Sequence, residues 1–271
     1  MRTKPTYPCT GRTSIDGFDA FLKQELKDSR ANIKKLTSEL GLITGDACVT
    51  LVNSGSSANL TTAILVKERC GQRKRVLMAG FSFPTTISSY TLLGFNVQLV
   101  DNEVDGFNLD PESLGQVIGD DVAAVVVTHF LGFPAKLERI SAMCQAAGAM
   151  LVQDACETMD LKADGRSIYE YGDVVTHSFY HPHHLSAFGG GVVATRSKEL
   201  YDQLQSIVHW GRECRCHYDP TSCTAPHGLN HNFWYVREGV NLELSELNAC
   251  FARWQLRSWD QQESLRWEHW R

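Results

Sequence analysis

VAAVVVTHFLGFPAKLERISAMCQAAGAMLVQDA, residues 122–155, is the stretch that decides the fold. It opens on an unbroken apolar run, passes through a helical candidate at 135–147, and closes on a second apolar run at 149–155. A run without polar alternation reads as a strand covered on both faces, as in a mostly parallel sheet. The same alternation extends both ways along the chain. Further strand candidates are 48–53, 75–80, 96–101, 173–180 and 190–195, with helical candidates at 55–70, 85–93 and 111–118. The expected fold is α/β: a three-layer α/β/α domain on a mostly parallel sheet, its functional groups beyond the carboxyl ends of the strands.

Upstream, SIDGFDAFLKQELKDSRANIKKLTSEL carries Phe18, Leu22, Leu26 and Ile33 at helical spacing and predicts a helix ending near Gly41. From about Ser245 the chain turns helical and tryptophan-rich, with Trp254, Trp259, Trp267 and Trp270. The expected division is an N-terminal helical segment (1–45), a large domain (46–240) and a C-terminal helix (241–271). The net charge of −5 without a basic run argues against nucleic acid as a partner. No stretch approaches the roughly 20 apolar residues that span a bilayer, which argues against a membrane. MRTKPTYPCTGRTS lacks the apolar core of a signal peptide. Nine cysteines, an odd count in a chain of 271 residues, point to a reducing compartment with free or metal-bound thiols, and the expected location is the cytoplasm.

Four segments carry candidate chemistry. SGSSANL follows the strand at 48–53, so Gly55, Ser56 and Ser57 would offer N–H groups and hydroxyls to an anion at a helix N-terminus; a plain serine cap is the other reading. Asp154 ends a strand, where a carboxylate can pair with a protonated pyridine nitrogen or merely cap a helix. Phe83 could stack on such a ring or belong to the core. THSFYHPHHLSAFGGGVVAT places His177, His181, His183 and His184 in a turn between two strands, with no carboxylate or cysteine at usual zinc spacing. Cys156, Cys214, Cys216 and Cys223 form a C-x57-C-x-C-x6-C set that meets the ligand demand of a [2Fe–2S] centre; the alternative is Cys156 in the core, with the other three binding zinc or nothing. Cys9, Cys48, Cys70, Cys144 and Cys250 read as packing residues.

SGSSANL, GFSFPTT, HFLGFPAKL, LVQDACE, YGDVVTHSFYHPHH and GVNLELSELNAC occur in the order found in the DegT/DnrJ/EryC1/StrS sugar aminotransferase family, which the chain resembles over about residues 15–265. The resemblance implies the aspartate-aminotransferase (type I) fold and pyridoxal or pyridoxamine phosphate. Ordinary members carry a Schiff-base lysine where this chain has His183, and no lysine lies between Lys162 and Lys198 or after Lys198. Imidazole cannot form that Schiff base but can move a proton near neutral pH. The swap resembles the 3-dehydrases of the family, and the cysteine set resembles their iron–sulfur branch.

The resemblance thus implies a 3-dehydrase using pyridoxamine phosphate and a [2Fe–2S] cluster on a nucleotide-linked 4-keto-6-deoxyhexose, CDP-4-keto-6-deoxy-D-glucose by preference. It implies His183 as base, Asp154 on the ring nitrogen and Glu157 beside the ring hydroxyl. Ser178 would hold the phosphate with the SGSSA turn, while Asn241 would reach a neighbouring subunit's phosphate in a homodimer. Cys156 and the loop 211–224 would hold the cluster, fed by an NAD(P)H-dependent flavin/iron–sulfur reductase. The family's C-terminal small domain is expected to be missing, and FGGG (188–191) replaces the family's G-E-G-G. Two alternatives stand beside this expectation: a cluster-free sugar dehydrase or aminotransferase-like enzyme, and a truncated, non-catalytic cofactor-binding homologue.

Overall fold

The structure is a computed structural model that describes residues 15, 17–27, 31–214, 216, 223, 225, 226 and 228–270. Cys9 and most of the loop between Cys214 and Cys223 lie outside the described residues, as does the Trp270 side chain.

The quoted stretch forms β4 (Val122–Thr128), α6 (Leu137–Ala147) and β5 (Met150–Asp154). Every residue of β4 is buried. Val125 and Val127 face one core layer with Leu77, Ile140 and Leu151, while Ala124 and Val126 face another with Ala63, Val66, Val76 and Met78. Side chains of a strand alternate between faces, so a strand apolar at every position requires cover on both. Each fully buried valine contributes roughly 1.5–3 kcal/mol.

The other strands of the main sheet are β1 (Cys48–Val52), β2 (Arg75–Ala79), β3 (Asn96–Val100), β8 (Val174–Ser178) and β9 (Gly191–Thr195). Two short strands, β6 (Lys162–Ala163) and β7 (Arg166–Ser167), pair separately. The seven-stranded order is β1-β9-β8-β5-β4-β2-β3. The contacts from β8 through β5, β4 and β2 to β3 are parallel. Only β9 runs against its neighbours β1 and β8. The loop 179–190, which joins β8 to β9, therefore leaves and re-enters the sheet at the same end of its strands.

Local chemistry sets the helix ends. Ser54 caps α3 (Gly55–Arg69) by accepting from Ser57 N at 3.0 Å, and Asp110 caps α5 (Pro111–Val117) by accepting from Ser113 N at 3.0 Å. Phe83 stands at the head of α4 (Pro84–Thr91), and Gly148 ends α6 at φ 64°. α7 (Lys198–Val208) was not expected, although its Ser197 cap and the buried Leu200, Leu204 and Ile207 spell an amphipathic helix.

The expected N-terminal helix is instead two, α1 (Phe18–Glu25) and α2 (Ala31–Ile43), and Gly41 lies inside α2 rather than ending it. A helical glycine costs about 1 kcal/mol, which the burial of Leu36 and Leu40 in the core offsets. Both helices pack on α8 (Glu246–Leu256). Arg253 of α8 reaches Glu25 at 2.7 Å and Glu39 at 2.9 Å, and Glu246 accepts from Asn32 N at 3.1 Å. The last helix is α9 (Trp259–Trp270); Trp267 is exposed, whereas Trp254 of α8 packs against Phe18 and Phe21.

Candidate active site

Strand register brings Asp154 and Ser178 together at the carboxyl ends of adjacent parallel strands. Asp154 ends β5 opposite Thr128 of β4 and Thr176 of β8, and Ser178 ends β8 opposite Gly191. Ser54 bridges Gly190, so the N-terminus of α3 sits at the same end of the sheet.

Asp154 is buried at 3 % exposure, and its carboxylate is fixed by three donors. Oδ2 accepts from Asn59 Nδ2 at 2.9 Å and from Thr86 Oγ1 at 2.6 Å, while Oδ1 accepts from Cys156 N at 3.1 Å. Asn59 is itself held, its Oδ1 accepting from Thr176 Oγ1 at 2.8 Å. A buried carboxylate tied this way cannot swing, so it presents its oxygens at a fixed position. Asn59, Thr86 and Thr176 escaped the sequence reading. Asn59 lies one helical turn after Gly55, which was the available signal.

At the head of α3 a Cβ on Gly55 would stand 2.6 Å from Ser178 Cβ and 3.1 Å from Cys156 Sγ. Only glycine lets the helix N-terminus come so close to the end of β8. Ser178 Oγ accepts from Tyr180 N at 3.1 Å, and Ser56 Oγ lies 2.9 Å from Thr85 Oγ1. Amides at a helix start with three serine hydroxyls nearby form an anion cradle. Together with Asp154, these residues fit a phosphorylated pyridine cofactor: anion donors at one end, a fixed carboxylate at the other.

His183 is half-buried in the loop 179–190, its N–H donating to Tyr180 O at 3.0 Å. Burial lowers its pKa, and the Asp154 charge partly opposes that shift. His184 turns away: its Nδ1 lies 3.7 Å from Glu263, and burial pushes its pKa down to about 4. His177 is fully buried; its Nδ1–H donates to Thr158 O at 2.8 Å, so Nε2 accepts from Tyr169 OH at 2.7 Å. It is a structural imidazole.

Glu157 accepts from Leu131 N, and burial raises its pKa. Phe83 is 65 % exposed at the head of α4 rather than in the core. Asn241 is exposed on a segment that bridges His209, and its Oδ1 accepts from Glu243 N at 3.4 Å.

The expected four-cysteine set is only partly gathered. Cys214, Cys216 and Cys223 converge, and the donor that joins them is His231, all four donor atoms lying within 4.8 Å of one another. Cys156 stands elsewhere, its backbone held by Asp154 and its Sγ against the head of α3. The thiol interacts with Asp154 and Thr176, and desolvation raises its pKa. The residues as placed do not fit a [2Fe–2S] cluster on the four cysteines.

Comparison with known proteins agrees with this geometry. The model of the DegT/DnrJ/EryC1/StrS aminotransferase family matches residues 8–271. The chain is 31 % identical over 256 residues to dTDP-4-dehydro-2,6-dideoxy-D-glucose 3-dehydratase of Saccharopolyspora spinosa, covering 89 % of this chain and 55 % of that protein. It is 27 % identical over 234 residues to the lipopolysaccharide biosynthesis protein RfbH of Salmonella typhimurium, covering 80 % and 54 %. The E. coli GDP-4-keto-6-deoxy-D-mannose-3-dehydratase with bound hydrated PLP superposes with a TM-score of 0.80 at 21 % identity, covering 96 % of this chain and 67 % of that one. The chain spans about half the length of the first two relatives. The fold is that of the PLP-dependent sugar enzymes, and the chain belongs to the DegT/DnrJ/EryC1/StrS aminotransferase family.

Proposed function

We propose that the chain serves a pyridoxamine-phosphate-dependent 3-dehydratase acting on a nucleotide-linked 4-keto-6-deoxyhexose, CDP-4-keto-6-deoxy-D-glucose being the first substrate to test. The observation that carries this reading is His183, a partly desolvated imidazole where the family's transaminases have lysine. Two relatives named as sugar-nucleotide 3-dehydratases support it, and the lipopolysaccharide relative supports a role in O-antigen deoxysugars.

When bound, pyridoxamine phosphate supplies the amine that meets the sugar's keto carbon and a ring that takes up electrons. Gly55, Ser56, Ser57 and Ser178 would hold its phosphate, and Asp154, fixed by Asn59 and Thr86, would face the ring nitrogen and favour its protonated form. His183, kept neutral by desolvation, takes a proton as general base. Glu157, three residues after Asp154, would meet the ring hydroxyl. Asn241 is exposed, as a residue serving a neighbouring subunit must be, so a homodimer is part of the proposal.

The test is incubation of the purified protein with pyridoxamine phosphate and CDP-4-keto-6-deoxy-D-glucose, with mass spectrometry of the sugar. Loss of the 3-hydroxyl, abolished in His183→Asn while the cofactor still binds, supports the reading. A 4-amino sugar that has taken the amine of pyridoxamine phosphate, leaving pyridoxal phosphate, would replace it with transamination, and cofactor binding without turnover would leave a cofactor-binding homologue.

A second, reductive reading adds the [2Fe–2S] cluster and an NAD(P)H-dependent flavin/iron–sulfur reductase. Its support is the C-x57-C-x-C-x6-C spacing of the sequence, not the observed grouping, which takes His231 and leaves Cys156 out. It requires Cys156 to join them, and two irons with two sulfides per chain would establish it.

A further inference from the structure

We infer that Cys214, Cys216, Cys223 and His231 form a binding site for one tetrahedral metal ion of the zinc class, leaving Cys156 to the cofactor pocket. The inference is independent of the proposed reaction, since none of the four residues holds the cofactor or moves its proton.

The argument begins with the donors. Three thiols and one imidazole nitrogen make a Cys3His set, a usual structural zinc combination. Two of the thiols are buried, Cys214 at 8 % exposure and Cys216 at 5 %. Cys214 Sγ lies 3.6 Å from Cys223 Sγ and 3.7 Å from His231 Nδ1, and Cys216 Sγ lies 2.9 Å from the same nitrogen. Bonds of about 2.3 Å to sulfur and 2.0 Å to nitrogen place tetrahedral donors roughly 3.5–3.8 Å apart. Two of the three separations already meet that demand. The third has the length of a thiol–imidazole hydrogen bond and opens by roughly 0.6 Å when a metal replaces the proton.

The spread of the donors separates one ion from a cluster. Two irons divide four ligands into two pairs, and ligands on different irons stand farther apart than ligands on one ion. Here no pair of donor atoms exceeds 4.8 Å. The backbone brings the donors to this point without help from Cys156. Glu213 N donates to Trp234 O at 3.0 Å, Val236 N to Gly211 O at 2.9 Å, and Arg212 bridges Tyr235. Cys214 is therefore the first residue past a closed base. His231 opens a short 3-10 turn on the opposite side, set by Asn230, whose side chain accepts from Asn232 N at 3.0 Å. An ion on these donors would tie Cys214, Cys216 and Cys223 to His231, a closure that otherwise costs chain entropy.

The decisive experiment uses the full chain purified anaerobically, with metal analysis and acid-labile sulfide on the same sample, then titration of the stripped chain with Zn2+ and Co2+. The expected result is about one ion per chain without sulfide, and a Co2+ spectrum of a tetrahedral site with three thiolates. Zn2+ affinity falls more than about 10-fold in His231→Ala and is retained in Cys156→Ser. The Co2+ spectrum of the unaltered chain keeps the test valid if His231→Ala does not fold. Two irons and two sulfides per chain, lost in Cys156→Ser and kept in His231→Ala, would overturn the inference in favour of the four-cysteine cluster. A chain that binds neither Zn2+ nor Co2+ at this site would overturn it outright. The iron-and-sulfide outcome would establish the reductive reading, whereas cluster-free 3-dehydration is judged by the sugar product alone, so that proposal and this one fail separately.

Discussion

At the scale of single residues, the site depends on polar groups whose partners come from distant parts of the chain. Asp154 was legible because it ends an apolar strand. The donors that fix it were not: Asn59 is 95 residues away and Thr86 is 68 away, and only the sheet register brings them together. His231 was missed for a related reason, since it lies beyond the cysteine run and only the fold brings it to Cys214 and Cys216. Thr86→Val keeps the volume but removes one donor to a buried carboxylate. Pyridoxamine-phosphate affinity should fall roughly 10-fold, or about 1.4 kcal/mol, in a fluorescence titration. His183 gives a pH prediction. Its neutral form is the base, and its folded pKa is lowered from the ordinary 6.5, so the acid limb of kcat/KM should lie below pH 6.5. A limb above that value in the pH–rate profile would mean that another group is the base.

At the scale of elements, the meeting of α3 with β8 sets the shape of the anion cradle. Gly55 was read from the sequence as a donor of backbone N–H, but its missing side chain matters as much. Gly55→Ala would force a methyl within 2.6 Å of Ser178 Cβ, against backbone anchored in the sheet. Such overpacking costs about 1–3 kcal/mol and should push α3 off the cradle. The urea midpoint and the affinity for inorganic phosphate should fall together; a drop in stability with phosphate binding intact would separate packing from the cradle. The strands were legible to within two residues because β4 and its neighbours are apolar on both faces. α7 was not, because its polar composition hides a helical stripe that only a capping serine announces.

At the scale of the whole molecule, buried imidazoles make stability depend on pH. His129 is fully buried, its Nδ1 accepting from Ala135 N at 3.1 Å and its Nε2–H donating to Gln153 at 3.0 Å. Burial pushes its pKa down to about 4, and that of His177 is lowered as well. An unfolded histidine takes its proton near 6.5, so the unfolded chain binds more protons below that pH. The stabilisation is complete above pH 6.5 and is lost as pH falls toward 4. His129 alone should cost about 2 kcal/mol between pH 7 and pH 5. Urea unfolding at both values should show this, and His129→Gln should flatten the slope by about one proton. The layered architecture was readable from apolar runs, whereas the order of the strands came only from the structure. The reversal of β9 has its own consequence. Phe179 N donates to Gly190 O at 2.9 Å and Ala187 N to Phe179 O at 3.0 Å, so the loop with His183 is pinched off at its neck. The segment between Phe179 and Gly190 is thereby a cassette. One with a different reactive side chain, or a different length, could be grafted at that neck while every strand keeps its neighbours, and chemistry could change hands without the sheet being rebuilt.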